Sequence, residues 1–347
     1  MIAAALDTKS RLAAILFSIV AAVVLGGLVV GLTGANPISV YLEIAKGAVL
    51  GRGLDETLAR SVPLVGMALA AAIALRAGLV NLGGDGQMLI GGLAAALVAL
   101  YLPVPGAARA VLALAAAICA GGLYAWLAAI LQLSLGIPFL IASLLFSYIA
   151  RGLTSYLVHY PLRDPATGMP ETYRVASGAR LPAHILDLPI SMAMVIMAIV
   201  AVVIVVNDRS GVNGFEWRMT GLNARFAQYS GVNLSRQTQR VAFLSGALAG
   251  LVGALLILGQ QYRFTDGALL APGYTWSGLM AAVLAMASPI ATIVTSVFFA
   301  ALQVGGFSME RALGLPASAS HRCGPTVQCY SLWPGLRAAV TQMIEEI

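Results

Sequence analysis

A single carboxylate, Asp85, lies in a part of the chain that otherwise avoids charge. It stands within GLVNLGGDGQMLIGG, residues 78–92, between two long apolar stretches. An ionised carboxylate at the centre of a bilayer costs about 2.5–3.5 kcal/mol, so an Asp at this place needs an explanation. We favour capping, together with Asn81, of the helix that begins near Gln87. Lining of a substrate path and binding of a proton or cation are the alternatives.

Arg151 is a second ionisable side chain inside an apolar run. It lies in LLFSYIARGLTSYLV, about two helical turns from the end of the run. It either snorkels toward the headgroups or faces an aqueous pathway. The neighbouring Phe146 and Tyr148 either stack on a flat ligand or pack as ordinary aromatic residues. The candidate residues of a translocation path are therefore Asn81, Asp85, Gln87, Phe146, Tyr148 and Arg151.

The sequence carries no motif for bond chemistry. G-x-x-x-x-G-K-[ST], H-E-x-x-H and G-x-S-x-G are all absent, so the chain encodes no P-loop, metalloprotease or serine-hydrolase site of these types. The three histidines lie in loops or the tail, and the three cysteines fit no metal motif and no disulfide framework. We expect no catalytic residue, no metal site and no cofactor held by this chain.

The elements that position these side chains are membrane helices. Of 347 residues, 60% are hydrophobic and 10% are charged, and the mean hydropathy is +0.90. Ordinary globular domains are roughly 25% charged. Apolar runs of about 18 residues recur from end to end, which is typical of spanning helices. The net charge of +6 is scattered over loops, so no basic patch for nucleic acid is predicted.

We predict an all-α polytopic membrane protein with about nine to ten transmembrane helices. The apolar runs are 12–32, 61–75, 88–102, 107–133, 138–158, 188–206, 241–258, 274–287 and 289–307. The first run is interpreted as an uncleaved span rather than a signal peptide. Glycines and polar residues interrupt the chain near residues 76–88, which predicts a discontinuous helix. The last two runs meet at SPIA and are predicted to form a tight hairpin.

Small residues dominate the predicted spans. Glycine pairs occur at 26–27, 91–92, 121–122 and 305–306. In lipid, helices associate through close approach of small residues, since a leucine gains little by leaving lipid for another helix. The composition therefore predicts a tightly packed bundle.

Three polar stretches connect or flank these runs. Residues 34–60 are interpreted as an outer surface segment. Residues 207–240 hold five arginines and residues 160–187 hold three. The positive-inside rule then puts 207–240 and the N-terminus in the cytoplasm, and the loop 159–187 outside.

The segment 214–240, GFEWRMTGLNARFAQYSGVNLSRQTQR, is patterned more regularly than a simple tether. Leu222, Phe226 and Tyr229 recur at helical spacing, and Gly221 and Gly231 are placed to end a short helix on both sides. It is either a surface amphipathic helix without a special role or a short helix that docks in a groove of a partner and transmits its motion.

Several segments together resemble the permease subunits of bacterial ABC importers for simple sugars and nucleosides. They are GLVNLGGDGQMLIGG, SYIARGLTSYLVHYPLRDP with ARLP, GFEWRMTGLNARFAQYSGVN, SGALAGLVGALL and GYTWSGLMAAVLA. The resemblance runs from about residue 55 to 316 and is closest to the nucleoside branch that works with lipoprotein-type binding proteins. It implies a type II-like ABC permease bundle of about ten spans in the bacterial inner membrane. The permease performs no bond chemistry and alternates between outward-facing and inward-facing states.

The same resemblance implies partners. They are a second, related permease, one or two cytoplasmic subunits that bind ATP and Mg, and an external substrate-binding lipoprotein. The family's coupling loop falls on residues 221–233. The residues implied to contact the ATPase are Gly221, Leu222, Asn223, Arg225, Phe226, Tyr229 and Gly231. An ion-coupled secondary transporter is the alternative, although the chain has about one membrane-embedded acid where such carriers usually need more.

The sequence departs from the family's pattern in three places. The turn at Gly84 and Asp85 usually reads Ala-Glu, and a Gly-Arg pair usually stands at Ala285 and Met286. Residues 1–316 form the predicted permease domain, whereas 317–347 make a polar tail with two prolines and no apolar window of about 20 residues. We expect no span there, and hypothesise a shifted reading frame just after residues 318–320.

Overall fold

The computed structural model describes residues 36–183 and 190–313, with five positions between 24 and 30. Most of the predicted first span, the end of the predicted outer loop and the tail 317–347 lie outside the described residues. Within them the chain is helical, and the one β-bridge joins Glu171 and Thr265. The all-α fold class is confirmed.

From residue 36 onward the described chain forms eleven α-helices. They are α1 Pro37–Val49, α2 Arg52–Arg76, α3 Gly84–Tyr101, α4 Gly106–Leu135, α5 Phe139–His159, α6 Met192–Ser210, α7 Val212–Leu222, α8 Ala224–Tyr229, α9 Leu234–Leu256, α10 Tyr274–Leu284 and α11 Pro289–Leu313. A 3-10 turn, Ser177–Ala179, lies between α5 and α6, and a π-helical turn, Ile257–Gln261, continues α9.

Seven of the described helices, α2 to α6, α9 and α11, are long and apolar enough to cross a membrane. The predicted eighth span is wrong. Its helix, α10, has 11 residues and a rise of about 16 Å, which is too short for a hydrocarbon core of about 30 Å. The hairpin between α10 and α11 turns through Met286 and Ala287, both with positive φ.

The interpretation of residues 34–60 as an outer surface segment is also corrected. Helix α1 occupies Pro37–Val49, with Asn36 accepting a hydrogen bond from the backbone N–H of Ile38. Residues 52–60 are then the first turns of the spanning helix α2, which continues without a break through Pro63.

The centre of the larger part of the molecule is built from α3, α4 and α9 around shared glycines. A Cβ added to Gly91 would collide with the backbone of Gly250, and one added to Gly121 would lie 2.8 Å from the Cα of Gly250. The apolar windows of α2 and α9 are 78% and 83% buried, against about 30% for α4, α5, α6 and α11. The predicted packing of small residues is confirmed in this centre.

The chain divides into two compact units. The smaller unit holds residues up to Gly53 and those from Leu302 onward. Within it, α1 packs against the end of α11, where a Cβ added to Gly305 would lie 2.8 Å from the side chain of Ile44. The larger unit, Leu54–Ala301, contains every candidate residue described below.

Candidate functional site

The predicted discontinuous helix is present. Helix α2 ends at Arg76 and α3 begins at Gly84, and the seven residues between them are not helical. Three backbone amides around the break are satisfied by side chains. Leu82 N donates to Ser143 Oγ over 3.2 Å, Gly83 N to Asn81 Oδ1 over 2.9 Å, and Gly86 N to Ser147 Oγ over 3.3 Å.

Capping by the Asp85 side chain is therefore wrong. Helix α3 begins after Gly83 with no side-chain cap, and Asp85 occupies its first turn. The two serines of α5 and Asn81 already take up the amides that a carboxylate would have bound. Asp85 is half-buried, and no described residue forms a hydrogen bond or ion pair with it. It still gains from the positive end of the helix. Its part in a substrate path stays a prediction.

Asn81 and Gln87 form a buried polar cluster with Ser245 of α9. Asn81 Nδ2 donates to Gln87 Oε1 over 2.9 Å and to Ser245 Oγ over 2.7 Å, and Gln87 Nε2 donates to Asn81 Oδ1 over 3.1 Å. Ser245 Oγ in turn donates to the Ala70 carbonyl over 2.7 Å. The cluster joins α2, the break, α3 and α9. Buried amides in such a network hold helices in register.

The structure separates the remaining path candidates from this cluster. Phe146 packs edge-on against Tyr124 at 5.2 Å, and its carbonyl accepts the Tyr124 hydroxyl over 2.7 Å. Tyr148 and Arg151 lie on the exposed side of α5, with the guanidinium 6.0 Å from the Tyr148 ring centre. The six predicted residues thus divide into the internal pair Asn81 and Gln87, the half-buried Asp85 at the break, a packed phenylalanine and an exposed pair.

Sequence reasoning missed one polar group next to the break. The Thr275 side chain is 9% exposed, and its Oγ1 has no hydrogen-bond partner within the described residues. A Cβ added to Gly84 would lie 3.4 Å from that oxygen, so Thr275 borders the turn that carries Asp85. Buried hydroxyls are nearly always paired. The GYTWSG segment, in which Thr275 stands between two aromatic residues, is the sequence feature that could have identified this group.

The segment 207–240 is mostly helical rather than a loop. Helix α6 continues to Ser210, α7 and α8 follow, and α9 begins at Leu234. Asn223 Oδ1 accepts from Phe226 N over 3.0 Å and begins α8. Gly221 does not end a helix, because it lies inside α7. Gly231, with φ +92°, follows α8 in a conformation that favours glycine.

The short helix α8 and the residue before its cap expose three large apolar side chains. Leu222, Phe226 and Tyr229 are 88%, 60% and 92% exposed, and Arg225 is exposed as well, whereas Ala227 is fully buried. An unpaired apolar surface of this kind on a short helix is typical of an interaction site.

Helix α7 is attached to the helix break by close packing and charge. A Cβ on Gly221 would collide with the carbonyl oxygen of Arg76, and one on Gly78 would lie 3.3 Å from the Cα of Gly221. Asp208, 5% exposed, accepts from Arg76 Nε and Nη2 over 3.1 and 2.9 Å. Arg218 of α7 lies 3.6 Å from the same carboxylate. Because of these contacts, α7 cannot be displaced without moving Arg76 and Gly78 at the break.

Residues 53–318 match the family described as branched-chain amino acid transport system / permease component. The glucose ABC transporter permease protein TsgB13 of Haloferax volcanii is 32% identical over 314 residues, or 87% of this chain and 82% of that protein. The guanosine ABC transporter permease protein NupP of Bacillus subtilis is 28% identical over 318 residues, or 89% of each. The nucleoside ABC transporter permease protein NupB of Lactococcus lactis is 28% identical over 316 residues, or 87% and 85%.

These relatives decide between the two functions that the sequence left open. Each is an ABC transporter permease, so the comparisons support an ABC importer and not an ion-coupled secondary transporter. A permease component is a transport subunit of a larger assembly with ATPase and substrate-binding partners, and is not an enzyme. With its apolar spanning helices, the chain belongs to the family of branched-chain amino acid transport system permease components, as a membrane subunit of an ABC importer.

Proposed function

We propose that this subunit moves a nucleoside or a related simple sugar across the bacterial inner membrane, with its N-terminus in the cytoplasm. It pairs with a second, related permease and receives its solute from an external binding lipoprotein. Separate cytoplasmic subunits bind ATP and Mg. The guanosine and nucleoside permeases among its relatives support the first solute class, and the glucose permease supports the second.

The exposed apolar surface of α8 is the observation that carries this proposal. Leu222, Phe226 and Tyr229 lie outside the spanning helices and are exposed in the single subunit. We assign them to a groove of the ATPase, where a central aromatic residue concentrates binding energy. Arg225, next to Phe226, is placed to pair with acidic side chains at the rim of that groove.

The contacts of α7 give a route from the ATPase to the path. When ATP binding draws the two ATPase subunits together, α8 moves with them and carries α7. Gly221 and Arg218 then shift Arg76 and Gly78 at the helix break. The bundle responds as packed helices do, by switching between discrete arrangements rather than by bending. Substrate affinity resides mainly in the separate binding protein.

The oxygens near the break suit a hydroxyl-rich solute. The Asp85 carboxylate and Thr275 Oγ1 have no partner among the described residues. A ribose or hexose supplies hydroxyl donors to both, and a carboxylate accepts such donors strongly. The rest of the path needs only weak contacts, because a solute bound tightly in the membrane would not be released.

Uptake of labelled guanosine, ribose and glucose tests the proposal in cells that make this chain with its partner permease, ATPase and binding protein. We expect uptake of one solute class, lost when the ATPase is inactivated.

The Phe226→Ala variant tests the coupling surface. It should insert normally but bind the ATPase more weakly, by about 2 kcal/mol or more. It should therefore retain less ATPase on purification and transport poorly. Phe215→Ala, an exposed aromatic of α7, is the matched control. Normal ATPase retention and uptake by Phe226→Ala would rule out α8 as the coupling element.

A further inference from the structure

A cavity of about 670 Å³ lies between α4, α7 and α9, away from the helix break. Trp126 of α4, Trp217 of α7 and Phe243 of α9 form its aromatic part. Arg236, Gln239 and Arg240 of α9 form its polar part. Neither the path nor the coupling surface described above uses it.

The polar part of the cavity is cationic and has no internal counter-charge. Arg236 and Arg240 are both exposed and stand one helical turn apart on α9. No described carboxylate lies within ion-pair distance of either guanidinium. Two neighbouring cations repel each other and favour an anion between them. A guanidinium fork matches the geometry of a phosphate group in particular.

The cavity lies at the first turns of the spanning helix α9. Gln239 is five residues beyond the start of α9, a rise of about 7.5 Å, and it accepts from Trp126 Nε1 over 3.5 Å. Tryptophan is enriched at the ends of spanning helices because its ring suits the boundary between headgroups and acyl chains.

An apolar surface continues from the cavity along the same two helices. Leu123 and Leu127 of α4 are 52% and 44% exposed, and Leu244 of α9 is 38% exposed. Both helices are long enough to span the membrane, so these side chains face acyl chains or another subunit. A ligand that fills the cavity and covers this surface needs an anionic head and an apolar tail.

We propose that this cavity binds an anionic phospholipid. Its phosphate lies between Arg236 and Arg240, its head lies against Trp126, and its acyl chains follow Leu123 and Leu244. Trp217 belongs to α7, so the bound lipid supports the helix that carries Arg218 and Gly221. The proposal stands independently of the transported solute and of the ATPase partner.

Tryptophan quenching by brominated lipids tests this site in the full-length chain reconstituted in vesicles. The chain has four tryptophans, and Trp276→Phe with Trp333→Phe leaves only the two that line the cavity. We expect brominated phosphatidylglycerol to quench them at much lower mole fraction than brominated phosphatidylcholine. Arg236→Gln with Arg240→Gln should weaken the phosphatidylglycerol effect roughly thirtyfold, and either change alone roughly fivefold. Quenching by phosphatidylcholine should not change.

Three controls make the result decisive. Arg209→Gln removes an exposed arginine in the last turn of α6, which does not line the cavity, and should leave the lipid preference intact. Arg236→Lys with Arg240→Lys keeps the charge and loses the planar guanidinium fork, and should give an intermediate preference. Inorganic phosphate should not displace the lipid. Equal quenching by both lipids, an unchanged double variant, or displacement by inorganic phosphate would each overturn the proposal.

Discussion

Ser143 shows how much a single hydroxyl contributes at the helix break. It is fully buried, accepts the amide of Leu82 and donates to the carbonyl of Leu140 over 3.1 Å. Ser143→Ala leaves the Leu82 amide without a partner, and we expect a loss of about 1–3 kcal/mol in the free energy of unfolding. Ser134→Ala, an exposed serine bonded only within its own helix, should change it by about 0.5 kcal/mol or less. Unfolding of the purified protein in detergent measures both; equal losses would contradict the capping role of Ser143.

Asp85 and Thr275 give the opposite expectation, since neither contributes a hydrogen bond to the described fold. Asp85→Leu and Thr275→Val should unfold near the wild-type temperature. If both oxygens bind solute hydroxyls, each variant should raise the KM for uptake about tenfold or more. Asp85→Asn keeps an acceptor oxygen and should lie between Asp85→Leu and wild type. If Asp85→Leu instead lowers the amount of assembled protein, and the protein that does assemble has the wild-type KM, then Asp85 has a structural role and does not bind the solute.

Among the contacts between secondary-structure elements, the close packing of α7 against the helix break is the one that couples the exposed helix α8 to the bundle. Gly221→Ala puts a methyl group against the carbonyl of Arg76, which must separate the two helices or strain them, at a cost of about 1–3 kcal/mol. Gly152→Ala in α5 is the matched control, because nothing lies within 4 Å of its added Cβ. We expect Gly221→Ala to lower thermal stability and uptake, and Gly152→Ala to change neither. Normal uptake by Gly221→Ala would show that this contact does not transmit the motion of α7.

At the scale of the whole molecule, the family match ends at residue 318, where the resemblance in the sequence also ends. The polar tail 317–347 lies outside the described residues, and the shifted reading frame stays a prediction. Translation of the gene in the other two frames should show an apolar stretch of about 20 residues directly after this position. If neither frame contains one, the polar tail is the native sequence and the hypothesis fails.

The sequence by itself determined the properties that depend on local composition. Long apolar runs predicted the spanning helices, because a bilayer requires about 20 apolar residues for each of them. The glycine-rich interruption predicted the helix break, since glycines beside polar residues end an apolar run. The spacing of Leu222, Phe226 and Tyr229 predicted one short helix; the structure places Phe226 and Tyr229 on α8 and Leu222 at the end of α7, and exposes all three side chains. The run 274–287 begins where α10 begins, but the helix ends at Leu284, because Met286 and Ala287 form the turn to α11.

Only the tertiary structure decided which side chains form hydrogen bonds with the backbone amides at the helix break. The amides of Leu82 and Gly86 are bound by serines 61 residues away along the chain, whereas the sequence interpretation assigned the amides at the start of the helix to Asp85 together with Asn81. The carboxylate of Asp208 likewise binds an arginine 132 residues away. Hydrogen bonds of this kind depend on how helices cross, and no local period in the sequence records a crossing. Asp85 was a path candidate from the sequence, but only helix packing showed that it has no partner among the described residues and placed the unpaired Thr275 hydroxyl beside the same turn.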